Sequence, residues 1–242
     1  DSVRPASEDI ARATRCPLGD GRGTSAGSRR QCGMRDVTSY PRQACRYLWR
    51  LWYVHWLRSR DNIRLEGSLI LHGKPQIDIR RGARLELGDN VTLRSANVGY
   101  HVSLYAPVKL FADVQGALIR IGRNSRINGS CIHAQESVII GTNCLIAANC
   151  QICDGNGHAL SFPDVQNRIH TRGSTRPVVI EDNVWIGTGS VILPGVVIGN
   201  GSVIGANSVV VHDIPPMAVA AGNPAVVVKD YITNRLEQVR SG

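Results

Sequence analysis

The chain has 242 residues, 43% hydrophobic and 19% charged, a length and balance that suit one full domain with an appendage and exclude wholesale disorder, a collagen-like repeat or a bundle of membrane spans. Twenty-eight basic against 19 acidic residues leave a net charge of +9, which suits phosphate-bearing ligands, an anionic membrane surface or nucleic acid without choosing among them. Aromatics are few (four Trp, six Tyr, two Phe, against 25 Gly) and half of them fall between Tyr40 and Trp56, so the rest of the chain must fill its core with aliphatic side chains.

Taken in chain order, residues 1 to 40 read as a disordered leader or arm. Arg, Ser, Gly and Ala dominate its first 33 positions without apolar periodicity or a signal-type apolar run, and Met34 offers an alternative start. Residues 41 to 62 read as a basic amphipathic helix. Pro41 is tolerated in its first turn, and Ala44, Tyr47, Leu48, Leu51, Trp52 and His55 recur at helical spacing, with Arg46 and Arg50 on another face. Such a helix, over residues 41–59, makes peripheral contact with a membrane or lays its apolar face over an open end of the main domain.

From about residue 63 the pattern becomes short apolar pairs separated by Gly, Asn, Asp and Ser. Ile180, Ile186, Ile192, Ile198, Ile204 and Val210 recur every sixth residue, and two places before each stands Val178, Val184, Ser190, Val196, Ser202 or Ser208. Side chains two apart on an extended strand share a face, so both columns point the same way. The frame recurs earlier in Leu87 and Leu93, in Ile121 and Ile127, and in Ile140, Ile146 and Ile152, with a one-residue slip around His133 to Ser137. Gly or a small residue follows many of the aliphatics and Asn often stands two or three places on, where a corner must admit left-handed backbone angles. Six residues per side with a turn at each corner describe a stacked β-solenoid over residues 63–232, interrupted by a loop insertion at 153–177 and followed by a tail, 233–242. Cys144 and Cys150 occupy its small inward column. The seven cysteines follow no disulfide spacing, and the lone Cys150–Cys153 pair lacks a second ligand pair for zinc, so reduced thiols in a cytoplasmic protein are expected, with no metal.

Through IGTNCLIAANCQI, then DGNGHAL, then RPVVIEDNVWIGTGSVILPGVVIGNGSVIGANSVVVHDIPP and AGNPAVVVK, the chain resembles the left-handed β-helix hexapeptide-repeat acyltransferases, in the branch of sugar and polysaccharide O-acetyltransferases that includes the maltose and galactoside enzymes. The resemblance implies an all-β, left-handed parallel β-helix and a homotrimer with acetyl-CoA lying between neighbouring subunits. It also implies transfer of the acetyl group to a hydroxyl of a sugar or glycan acceptor. On the matching positions it makes His158 the general base, sets Asn128 against the acceptor or the oxyanion, and makes Trp185 a wall of the acyl site. Gly187, Gly189, Gly205 and Ala206 would then border the coenzyme groove, and Lys229 would stand near the coenzyme phosphates, although the usual AGNPAK reads AGNPAV here, with Val226 in place of a common Lys. Asp154, four residues before His158, either orients the imidazole, touches the sugar, or simply forms a turn before Gly155.

Two other classes share such a scaffold. A γ-type carbonic anhydrase needs three His on zinc, two of them five apart, and His133, His158 and His170 lack that spacing. A non-catalytic, membrane-docked scaffold would need only the arm and the charge, and leaves the His158 loop and Trp185 unexplained. Nucleic acid is not expected as a partner, because the solenoid does not interleave aromatic and basic residues.

Overall fold

The computed structural model describes residues 39 to 232, so residues 1–38 of the expected leader and the tail 233–242 lie outside the described residues. The body of the described chain begins at Gln43. The body is a three-sided parallel β-helix of six coils. One sheet has six strands, a second has eight and a third has six, and strands of one coil pair in parallel with those of the next. In the last coils the partners are 18 residues apart: Ile180 opposes Ile198, Ile186 opposes Ile204 and Ile192 opposes Val210. Three sides of six residues therefore close one coil, and the sixfold period in the sequence becomes a stack of β-branched aliphatic side chains. That stack is the core: from Ile180 to Val210 each member of the column is at most 1% exposed.

The small column two places earlier has its own chemistry. Ser190 is fully buried and its hydroxyl donates to the carbonyls of Gly187 and Gly205 at 2.9 and 3.0 Å. Cys144 and Cys150 do likewise through Sγ, to Glu181 O at 3.0 Å and Gly187 O at 3.2 Å. A small polar group here satisfies corner carbonyls that would otherwise be buried without a partner.

The corners divide the work differently from the sequence reading. The glycine after each aliphatic does not carry the left-handed angle. At Gly122 a Cβ would stand 2.5 Å from the Gly141 carbonyl carbon of the next coil, so the demand there is close approach. The positive φ falls two residues later, on Asn90, Asn124, Asn143 and Asn207 (56–59°) and on Gly189 (73°). The side-chain amides of Asn90, Asn124, Asn143, Asn183 and Asn200 then hydrogen-bond in series at 2.9–3.2 Å, one coil to the next.

Two segments interrupt the coils. Residues 95–107 follow the strand Val91–Arg94 and are pinned by Asn149, which accepts from Tyr105 N at 3.0 Å and donates to Ser103 O at 2.9 Å. Residues 154–177 follow the strand Gln151–Cys153 of the third sheet. At the N-terminal end the helix Ser39–Arg58 closes the first coil. Leu57 is fully buried and Tyr53 is 5% exposed; both belong to the solenoid's own core, with Trp49, Val54 and Trp56 packed against it. The covering face is thus the Trp49, Tyr53 and Leu57 line. Leu48, Leu51 and Trp52, which share the stripe picked out by helical spacing, stand 52–62% exposed. No helix among the described residues is long and apolar enough to cross a membrane.

Candidate active site

Strand side chains alternate, so each inward aliphatic of the second sheet leaves its neighbour on the outer face. Register aligns these outward residues into one file: Ile70, Thr92, Arg126, Leu145, Trp185 and Val203 on successive coils. A cavity of about 760 Å³ runs along this file. Trp185, 51% exposed, stands in its wall. Gly187, Gly205 and Ala206 form the end towards the later coils.

The backbone there is less bare than the sequence reading supposed. Gly187 donates its N–H to Ile204 O and Gly205 to Ala220 O, both at 2.8 Å, and their carbonyls accept from the buried serines. A Cβ at Gly187 would lie 2.6 Å from Ala206 N, so that glycine serves the packing of coil on coil. The amides of Thr188 and Ala206, by contrast, donate to no group among the described residues, and both residues line the cavity. Gly189 lies off the cavity: its positive φ makes the corner, and its N–H is spent on Ala148 O at 2.8 Å. Lys229 is also off the cavity, on the antiparallel terminal strand Ala225–Asp230, with Nζ over the Tyr231 ring at 4.5 Å.

Asn128 lines the cavity but is only 4% exposed, because its Nδ2 donates to Ile146 O of the next coil at 2.8 Å. One of the two amide hydrogens expected to face the substrate therefore holds the solenoid together. Asp154 is a clearer correction. It is fully buried, and its two oxygens accept from the backbone amides of Gln135 and Glu136 at 2.8 and 2.7 Å, with no hydrogen bond to His158. Those amides lie where the register slips by one residue, and the opened corner needs an acceptor. Burial pushes the Asp154 carboxyl above its ordinary range, against the amide bonds from Gln135, Glu136 and Ser137.

His158 is exposed on the inserted loop, which projects as a finger. Its base is a two-stranded neck in which Gly155 bridges Thr175, Asn156 N donates to Ser174 O, and Arg176 N donates to Asp154 O. Its tip is the 3₁₀ segment Phe162–His170, in which no residue is buried. His158 Nδ1 lies 3.2 Å from Thr171 O. A carbonyl can only accept, so Nδ1 carries the proton in the neutral ring and Nε2 keeps its lone pair towards solvent. The finger leaves the third sheet and the cavity lies on the second, so His158 is not among the cavity-lining residues of its own chain.

Sequence reasoning missed the other end of the cavity. His72, Arg94, Tyr100, His101 and Arg126 line it, and no Asp or Glu does. Arg94 lies over the Tyr100 ring at 5.3 Å, and the Tyr100 and His101 rings are 4.6 Å apart. Burial, then the charges of Arg94 and Arg50, push the His72 pKa down. The available signal was alternation: Arg126 stands between inward Ser125 and Ile127, on the same outer face as Trp185. Among the described residues no three His, Cys, Asp or Glu side chains gather as metal ligands.

Family models for the bacterial transferase hexapeptide (six repeats) and the hexapeptide repeat of succinyl-transferase match residues 177–212 and 118–153. The lipopolysaccharide biosynthesis O-acetyl transferase WbbJ of Escherichia coli K12, itself named as putative, is 35% identical over 161 residues, 63% of this chain and 75% of that protein. The galactoside O-acetyltransferase of the same organism is 42% identical over 118 residues, 48% of this chain and 55% of that protein. AntD, an N-acyltransferase from Bacillus cereus solved with dTDP and 3-hydroxybutyryl-CoA, superposes with a TM-score of 0.53 at 21% identity over 74% of this chain and 92% of its own, a likeness of fold alone. The chain belongs to the hexapeptide-repeat transferase family. It spans about half the length of several of the curated relatives it matches.

Proposed function

We propose that the protein is an acetyl-CoA-dependent O-acetyltransferase that modifies a hydroxyl of a sugar or glycan acceptor. The observation that carries this reading is the His158 ring, held by Thr171 O so that Nε2 is presented as a base. A sugar hydroxyl is too weak an acid to attack a thioester unaided at neutral pH. His158 Nε2 takes its proton as the oxygen adds to the thioester carbonyl, and returns that proton to the departing sulfur when the carbon–sulfur bond breaks. Trp185 walls the acyl group, the amides of Thr188 and Ala206 hold the pantetheine arm, and the remaining Asn128 hydrogen faces the developing oxyanion. The acetyl group and the sugar class are carried over from the names of the relatives.

The site is completed by a second copy in a homotrimer, the His158 finger of one subunit reaching the Trp185 cavity of the next. Two features support this: the cavity lacks a base of its own from that finger, and Leu160, Phe162, Val165 and Ile169 are 54–74% exposed along the finger. Leu48, Leu51 and Trp52, with Arg50 exposed beside them, rest on the anionic inner face of the cytoplasmic membrane. The test is transfer of labelled acetate from acetyl-CoA to a panel of sugars, nucleotide sugars and glycans, with the native mass measured alongside. Acetylation by a trimer is expected. Activity of a monomer would overturn the shared site, and binding of acetyl-CoA without transfer to any hydroxyl would overturn the reaction.

A further inference from the structure

We propose that the end of the cavity lined by Arg94, Arg126, His72, Tyr100 and His101 binds phosphate, so that the acceptor is a sugar mono- or diphosphate. This deepens the transferase reading and rests on it for the role of the other end. The Arg126 side chain is exposed to the cavity, and its guanidinium makes no ion pair or hydrogen bond among the described residues. The Arg94 guanidinium has only the Tyr100 ring and a 3.5 Å contact to Val98 O. In register, Arg126 opposes Thr92 and Arg94 opposes Asn128, so the two arginines stand one coil apart and two residues apart along the strand. At about 4.8 Å per coil and about 3.3 Å per residue their Cα atoms are roughly 8 Å apart, close enough for both guanidinium groups to meet on one phosphate or span two.

Two like charges brought together without a carboxylate in the cavity raise each other's energy, and an arriving dianion removes that cost. A sugar carboxylate would match one arginine; a phosphate or diphosphate matches both. Burial first, and then the charges of Arg94 and Arg50, push the His72 pKa down, so this imidazole stands in the same positive field. Polarity along the file separates this end from the coenzyme. Trp185 lies two coils beyond Arg126, and the unpaired amide of Ala206 one coil further, so an acyl group at Trp185 has the coenzyme on the later coils and the acceptor on the earlier ones.

The experiment titrates UDP into the full-length protein saturated with coenzyme A. Farnesyl diphosphate in detergent micelles serves as the lipid-linked arm and glucuronic acid as the carboxylate arm. UDP is expected to bind with coenzyme A in place. Arg126→Gln should weaken UDP by about tenfold or more, the loss of one charge-assisted contact, and Arg126→Lys by less, while coenzyme A affinity stays within about twofold and melting is unchanged because the side chain is exposed. Tight farnesyl diphosphate with weak UDP supports a lipid-linked acceptor, and the reverse supports a free nucleotide sugar. The proposal is overturned if neither diphosphate binds the coenzyme-saturated protein, if glucuronic acid binds as tightly as UDP, or if Arg126→Gln weakens coenzyme A as much as UDP. A wild-type protein that binds UDP but not coenzyme A would instead refute the transferase reading and leave the phosphate site standing.

Discussion

Thr171 grips the His158 segment at two points. Its carbonyl lies 3.2 Å from His158 Nδ1, and its hydroxyl accepts from Ala159 N at 2.9 Å while donating to Arg168 O at 2.7 Å. The imidazole is therefore fixed by the backbone of its own finger and needs no carboxylate. His158→Ala is expected to lower kcat by about 10² to 10⁴, the usual worth of general-base help, with coenzyme A affinity unchanged. Thr171→Val keeps the carbonyl and removes the hydroxyl. It should cost several-fold in kcat, about one hydrogen bond, with Thr171→Ser restoring the rate. Equal losses in both variants would mean that the finger has collapsed and that the histidine's chemistry is not what is being read.

A shared site can be tested by mixing. His158→Ala and Trp185→Ala chains are each expected to be impaired, the second in KM as well as kcat. Unfolded together in equal amounts and refolded, they should regain about a quarter of wild-type activity, because a random cyclic trimer pairs an intact finger with an intact cavity at one interface in four. A site built within one chain would regain nothing.

The N-terminal helix has two faces with different tasks. Leu57→Ala cuts a fully buried side chain and is expected to cost about 2 to 5 kcal/mol, seen as a lowered melting temperature. Trp52→Ser alters a side chain that is 62% exposed; it should leave melting unchanged and weaken sedimentation with anionic vesicles. Unaltered vesicle binding would remove the membrane role and leave the helix as a cap.

Cys153 neighbours the finger, and burial, with smaller contributions from the nearby Cys131 and Asp154, pushes its thiol up to about 11. Only the thiolate reacts, so alkylation by iodoacetamide at pH 7.5 should be roughly 300-fold slower than for an ordinary thiol with a pKa near 8.5. It should accelerate as the pH rises towards that value. Peptide mapping after timed alkylation measures this, and rapid labelling of Cys153 in the folded protein would contradict its raised pKa.

The solenoid was legible because one physical constraint, an inward aliphatic every sixth residue, repeats often enough to stand above composition. The column Ile180 to Val210 and even the slip near His133 could be read from it. Asp154 could not, since its role depends on a corner opened some twenty residues earlier in the chain and stacked against it only in three dimensions. The covering face of the helix was misread for a related reason. Leu48, Leu51 and Trp52 and the pair Tyr53 and Leu57 are both apolar, and only the shape of the first coil decides between them. Alternation could set Arg126 on the outer face, but nothing singled out Arg94 and Arg126 there, because outward positions on a solenoid are free of the packing rule that marks the inward ones.

The coil spacing also makes the molecule a ruler. One strand, Leu145–Ala148, lies between the one that carries Arg126 and the one that carries Trp185. The span from anion to acyl group is thus set in steps of one coil, about 4.8 Å each, and cannot be tuned by fractions. Removing or adding a coil there, with its Asn in the amide ladder, would leave every remaining strand paired and change the reach by one step. A relative that acts on an acceptor with a longer gap between phosphate and hydroxyl would then differ by a whole coil, and side-chain changes along the file would adjust only what lies within a step.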